Sequence, residues 1–155
     1  MGEGLRMPIN GEQIVGAVCR ALHAAHPDVP VYREPIDQDF REPCFFVWNS
    51  GTETAPVIWP KYRETHRIEV RYYPPDRNTQ HGEGLDIGAR LIETLAKVHI
   101  VEDGRESLPI WATEYARRII DDAVAVSVTY RTEGFFYETR AGSMGGLDAR
   151  TVAKE

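Results

Sequence analysis

Tyr62-Arg63-Glu64-Thr65-His66-Arg67-Ile68-Glu69-Val70-Arg71-Tyr72-Tyr73-Pro74-Pro75 carries the two-residue side-chain period of a β-strand, with Ile68, Val70 and Tyr72 alternating with Arg67, Glu69 and Arg71. One face is apolar and the other ionic. A strand covered on both sides reads as a continuous apolar run, so this alternation predicts a largely antiparallel sheet packed on one face only, with Pro74-Pro75 ending the ladder. Val124, Val126, Val128 and Tyr130 repeat the pattern, with Ala125, Ser127, Thr129 and Arg131 opposite. These two long strands are placed at the sheet centre.

Two helices supply the cover for the apolar face. Asn10 with Gln13 three places on has the form of a capping box, and Ile14, Val15, Val18, Ala21, Leu22 and Ala25 then make one apolar stripe that Pro27 stops after His26. Leu85, Gly88, Ala89, Ile92, Leu95 and Ala96 describe a second amphipathic helix, in which Gly88 beside Ala89 allows close approach to its neighbour. His23 and His26 read as exposed helix-end histidines, because no carboxylate shares their turn to complete a metal site.

The remaining strands are shorter or more interrupted. Val31-Tyr32-Arg33-Glu34 reads as an edge strand limited by Pro35, Cys44-Phe45-Phe46-Val47-Trp48 as a strand with few polar interruptions, and Val98-His99-Ile100-Val101 as a brief one. Residues 110–120 contain another, and Asp121-Asp122 turns the chain. Asn49-Ser50-Gly51-Thr52 is a turn signal. Pro56 and Pro60 on either side of Trp59 then predict a protruding hairpin arm that rejoins the sheet at Tyr62, with Trp48 and Trp59 near its base. Asp76 to Gly82 is read as a polar surface loop. The expected organisation is a single α+β domain over residues 1–140, with a mainly antiparallel or mixed sheet, both helices on one face and the hairpin protruding. The Gly-rich residues 141–155 follow as a flexible tail.

The 155 residues suffice for one domain that buries about two-thirds of its unfolded surface. A net charge of −6 argues against general nucleic-acid binding, which rests on Lys and Arg neutralising phosphates. Cys19 and Cys44 are too few for a disulfide scaffold and lack metal spacing, which favours reduced thiols in a cytosolic setting. No signal peptide pattern is present, and no apolar run approaches the roughly 20 residues of a membrane span.

Catalytic patterns are missing in the same way. Asp37, Asp39 and Glu42 invite a metal or paired-carboxylate reading but lack calcium-loop spacing, and loop acids are the plainer account. Gly82-Glu83-Gly84 is no nucleotide cradle, there is no Walker-type Gly-Lys-Ser/Thr, and no serine sits in a Gly-x-Ser-x-Gly elbow. The strand from Glu64 to Arg71 has no Glu-x-Lys pair of the metal-nuclease kind, so its acids are assigned to neighbouring arginines. No catalytic residue, metal or cofactor is expected.

Phe40-Arg41-Glu42-Pro43-Cys44-Phe45-Phe46-Val47 resembles the Phe-x-Glu-Pro-Cys-Phe-Phe-Val signature of phage tail terminator-like proteins, found in phages and phage-derived tail particles. The Arg67-to-Pro75 strand resembles that family's central strand, and Asp121-Asp122 with the strand from Val124 to Tyr130 resembles its last hairpin. The likeness spans roughly Gln13 to Arg131. It implies a virion protein that closes the head-proximal end of the tail tube, commonly as a ring of six copies, and offers a surface to neck proteins. Its implied partners are other copies of itself, the tail tube protein, and sheath or head-neck connector proteins, with assembly in the host bacterial cytoplasm and a final place at the tail and neck. No catalysis, nucleic-acid recognition or membrane is implied.

A ring built of head-to-tail contacts needs unlike faces on one copy. Alternation onto the exposed sheet face makes Arg63, Arg67, Glu69 and Arg71 the candidate interface residues, a merely solvated face being the plainer alternative; Trp59 on the arm joins them, with the role of an ordinary core filler as its equal alternative. The competing functional readings are a small-molecule-binding or hydrolytic α+β enzyme, marked by a deep polar pocket, and an adaptor at another neck position.

Overall fold

The computed structural model describes residues 9–33, 41–75, 81–102, 104–121 and 123–136, and the 141–155 tail lies outside them. Along the chain come α1 (Gly11–Ala25), β1 (Val31–Arg33), β2 (Cys44–Ile58), β3 (Lys61–Tyr73), α2 (His81–Leu95), β4 (Lys97–Glu102), β5 (Arg105–Ile120) and β6 (Ala123–Phe135). The strands form one mixed sheet in the order β1-β2-β3-β6-β5-β4. Only the short β1–β2 pairing is parallel.

β3 and β6 lie side by side at the centre, and their register runs unbroken from Lys61↔Phe135 to Tyr72↔Val124. That register sets Ile68 opposite Val128 and Val70 opposite Val126, so the two apolar alternations fall on one face. Ile14, Val15, Val18 and Leu22 of α1 and Leu91 and Leu95 of α2 share a core with these residues, Phe45 and Val47. The Tyr130 hydroxyl donates to the Leu95 carbonyl at 2.7 Å inside that core, and burial pushes its phenol far above the ordinary range.

α1 begins as its sequence predicts. The Asn10 side chain accepts from the Gln13 N–H at 2.9 Å and the Gln13 side chain accepts from the Asn10 N–H at 3.0 Å, a closed capping box of the kind that stabilises a helix by about 1 kcal/mol. At its other end the ring of His26 packs 5.4 Å from that of Phe45, so this histidine is half-buried, unlike the exposed His23.

Three elements differ from the sequence reading. Residues 49–52 form no chain reversal: β2 continues through a register irregularity between Asn49 and Gly51. There the Asn49 side chain accepts from the Gly51 N–H at 2.8 Å and donates to Thr52 Oγ1 at 3.0 Å, so turn chemistry is used to satisfy a bulge. α2 starts at His81, inside the segment read as a loop. It also buries Gly88, Leu91 and Leu95 with Ile87 and Ile92 at the margin, while Ala89 is exposed and Ala96 lies past the helix end. A Cβ on Gly88 would sit 3.3 Å from the Arg117 side chain and 3.4 Å from Val124, so the glycine brings α2 close to β5 and β6. Finally, β5 starts at Arg105 and is longer than expected.

Candidate interaction surface

Odd-numbered residues of β3 point away from the core, and the register places each beside a defined partner. Arg63 lies opposite Glu133, Arg67 opposite Thr129, Glu69 opposite Ser127 and Arg71 opposite Ala125. Lys61 Nζ is 2.9 Å and Arg63 3.3 Å from the Glu133 carboxylate, and the hydrogen bond from Lys61, helped by Arg63, holds that carboxyl below its usual range. Arg67 reaches Glu53 of β2 at 3.4 Å. Exposed pairs of this kind contribute at most about 1 kcal/mol each, so they are weak as stabilisers and stronger as markers of register and partner choice.

Glu69 departs from the pattern. Alternation alone puts it on an exposed face, yet it is only 5% exposed. Ser127 Oγ donates to one carboxylate oxygen at 2.7 Å, and Arg71 Nε and an Arg118 nitrogen lie 3.4 and 3.8 Å from the other. Arg71 itself lies over the Trp48 ring, 5.1 Å from its centroid. Glu69 therefore organises the centre of this face and offers little of itself to a partner, whereas Arg63 and Arg67 are exposed and Arg71 partly so.

Farther along the same strands, the ends of β2, β3 and β6 form an arm. Trp59 sits in the turn at its tip, 67% exposed, well away from Trp48 at mid-sheet. Its ring stacks on Phe136 at 5.3 Å and 9°, Tyr62 lies 4.6 Å from the same phenyl ring, and the Phe136 N–H donates to the Pro60 carbonyl at 2.8 Å. A side chain at 134 would collide with the Tyr62 phenol, its Cβ 2.6 Å from the hydroxyl, so Gly134 makes room for the tyrosine under the arm. Ile58, Val57 and Phe135 complete an exposed apolar tip. Sequence reasoning misses Phe135 and Phe136, whose only signal is an aromatic pair directly after Gly134 at the end of a strand.

Where the arm joins the sheet, His66 is fully buried. Thr52 Oγ1 lies 3.2 Å from Nδ1 and Thr132 Oγ1 3.0 Å from Nε2, with Glu64 at 3.6 Å. Burial holds the imidazole below its ordinary pKa, against the opposing pull of Glu64, so the ring is neutral near pH 7 and ties three strands together by hydrogen bonds.

On β5, Tyr115 and Ile119 are exposed on the helix-bearing face, opposite Val128 and Val124, while Trp111 is exposed on the other face, with Lys97 Nζ 5.3 Å from the centre of its ring. Among the described residues no group of His, Cys, Asp and Glu has the makings of a metal site, and no helix is long and apolar enough to cross a membrane. Asp37 and Asp39 lie outside the described residues, as does most of the segment 76–82.

Residues 13–141 match a family model described as phage tail terminator protein. No curated protein matches the chain. Among solved structures, a chain from the virion of a native gene transfer agent particle is similar at 12% identity and a TM-score of 0.45, covering 76% of this chain and 91% of that one. Another is similar at 15% identity and a TM-score of 0.40, covering 84% of this chain and 99% of that one.

Proposed function

Because the chain belongs to the phage tail terminator protein family, structural components of the phage tail, we propose that it caps the head-proximal end of a tail tube as a ring of six copies and presents a docking surface to neck proteins. The observation that supports a ring is the presence on one chain of two unlike apolar surfaces, the arm tip at Trp59 and the exposed Tyr115 and Ile119 on the helix-bearing face of β5. A closed two-fold dimer uses the same patch on both copies, while a head-to-tail ring needs two different ones. With both helices on one face of the sheet, the opposite face carrying Arg63, Arg67 and Arg71 is left for tube or subunit contacts, and the arm acts as a protruding hairpin that reaches a neighbour.

On this reading the protein works without catalysis, assembles in the host bacterial cytoplasm and ends at the junction of tail and neck. Its partners are copies of itself, the tube protein and head-neck connector or sheath proteins. Co-pelleting with tail tubes tests the assignment of the arm. The natural chain should pellet with tubes, and Trp59→Asp with Ile58→Asp should stay in the supernatant while keeping its secondary structure. If the doubly substituted chain pellets like the natural one, the arm has no part in capping.

A further inference from the structure

Two strand edges of this sheet have no neighbour among the described residues, and they lie on opposite sides of it. β1 pairs only with Phe45, Phe46 and Val47, so the outer edge of β2 over residues 48–58 is open. β4 pairs with β5 no farther than Trp111, so the outer edge of β5 over residues 113–120 is open as well. An open edge presents a row of backbone N–H and C=O groups and is a template for a further strand. Residues 113–120, Thr-Glu-Tyr-Ala-Arg-Arg-Ile-Ile, carry no proline and no lysine to discourage such pairing, and in residues 51–58 only Pro56 withholds a donor.

We infer that these two edges pair between copies, the β2 edge of one copy adding to the β5 edge of the next, so that the sheet continues around the ring. The inference rests on the ring reading above. Strand direction is compatible with it: β2, β3, β6 and β5 alternate in direction, so a copy rotated about an axis along the strands brings its β2 antiparallel to β5 of its neighbour. The helices of both copies then stay on one side.

Charge selects a second copy as the occupant and also selects the register. The only charge in residues 51–58 is Glu53, and residues 113–120 hold the exposed Glu114, Arg117 and Arg118, of which Glu114 falls opposite the uncharged Val57 when Glu53 meets Arg118. Glu53 stands opposite Thr65, on the face of Arg67, and Arg118 stands opposite Ala125, on that same face. Aligning Glu53 with Arg118 therefore keeps the faces of the two sheets in step. Pro56 then falls opposite Tyr115 on the helix-bearing face and covers a ring that the isolated chain leaves exposed. Because the two edges differ, each contact leaves one of each kind free, and the series ends only by closing.

Disulfide trapping tests the pairing. Glu53→Cys and Arg118→Cys are placed in one full-length chain carrying Cys19→Ser, mixed with tube protein and oxidised; opposed residues of antiparallel strands lie within disulfide reach. The expected result is a cross-linked ladder that ends at the ring size, weaker when the second cysteine is moved to Ala116 or Ile120. Rings in micrographs without a ladder from any of the three positions overturn the edge pairing and leave the ring reading standing. Absence of rings in the natural chain with tube protein overturns both. A ladder that stops at a dimer for Glu53→Cys alone also overturns the pairing, since it marks a two-fold contact.

Discussion

The Ser127 hydroxyl donates a 2.7 Å hydrogen bond to the Glu69 carboxylate across the central strand pair, on the face turned away from the core. Glu69 is buried there, so the bond replaces water that the carboxylate cannot otherwise reach. Ser127→Ala is expected to lower the unfolding free energy by about 2 kcal/mol, within the range for hydrogen bonds to charged groups. Glu69→Gln keeps an acceptor for Ser127 and loses only the longer arginine contacts, so it should cost less. Urea denaturation of both variants checks the order.

A second bond links a strand to a helix. Tyr130→Phe removes the hydroxyl that satisfies the buried Leu95 carbonyl at the end of α2. The cost should be about 1 to 2 kcal/mol, as for a buried acceptor left unpaired. Equilibrium unfolding measures it, and amide exchange in the last turn of α2 should quicken.

Stability should fall in mild acid. The folded-state pKa of His66 lies below its unfolded value of about 6.5, so above that pH both states are neutral and nothing is lost. As pH drops through 6.5 the unfolded chain takes up a proton that the folded chain resists, and stability declines by at most about 1.4 kcal/mol per unit per histidine until the folded pKa is reached. His26, lowered by burial and then by Arg90, acts with the same sign. Urea midpoints measured from pH 7.5 to 5.5 in His26→Ala isolate the part due to His66; a flat profile there would contradict the assignment.

Charge reversal should separate folding from assembly. Arg63→Glu and Arg67→Glu each break one exposed pair and should change stability by no more than about 1 kcal/mol. Arg71→Glu sets a second acid beside the buried Glu69 and should cost more. If Arg67 contacts a tube or a neighbour, Arg67→Glu gives a folded chain that fails to cap, as scored by circular dichroism and tube co-pelleting together.

The alternation of Ile68, Val70 and Tyr72 and the Asn10–Gln13 cap were legible because strand period and helix capping are local geometry. The phase of α2 was not, because Ala89 and Leu91 are both apolar and only the packing of Gly88 on Val124 decides between them. Asn49 signals a turn in isolation, yet the continuing ladder with β3 makes it a bulge. Of the candidate interface residues, Arg63 and Arg67 lie on the exposed surface the alternation indicates, while Glu69 is buried and accepts a hydrogen bond from Ser127, a residue far along the chain. The stacking of Trp59 on Phe136 is equally long-range and has no trace in local sequence.

Electron microscopy of the purified protein mixed with its tube protein tests the capping role most directly, because it reports position and copy number together. The expected images show a ring of six copies seated at one end of each tube and absent from the other end and the shaft. Tubes with bare ends beside a protein that stays monomeric would contradict it.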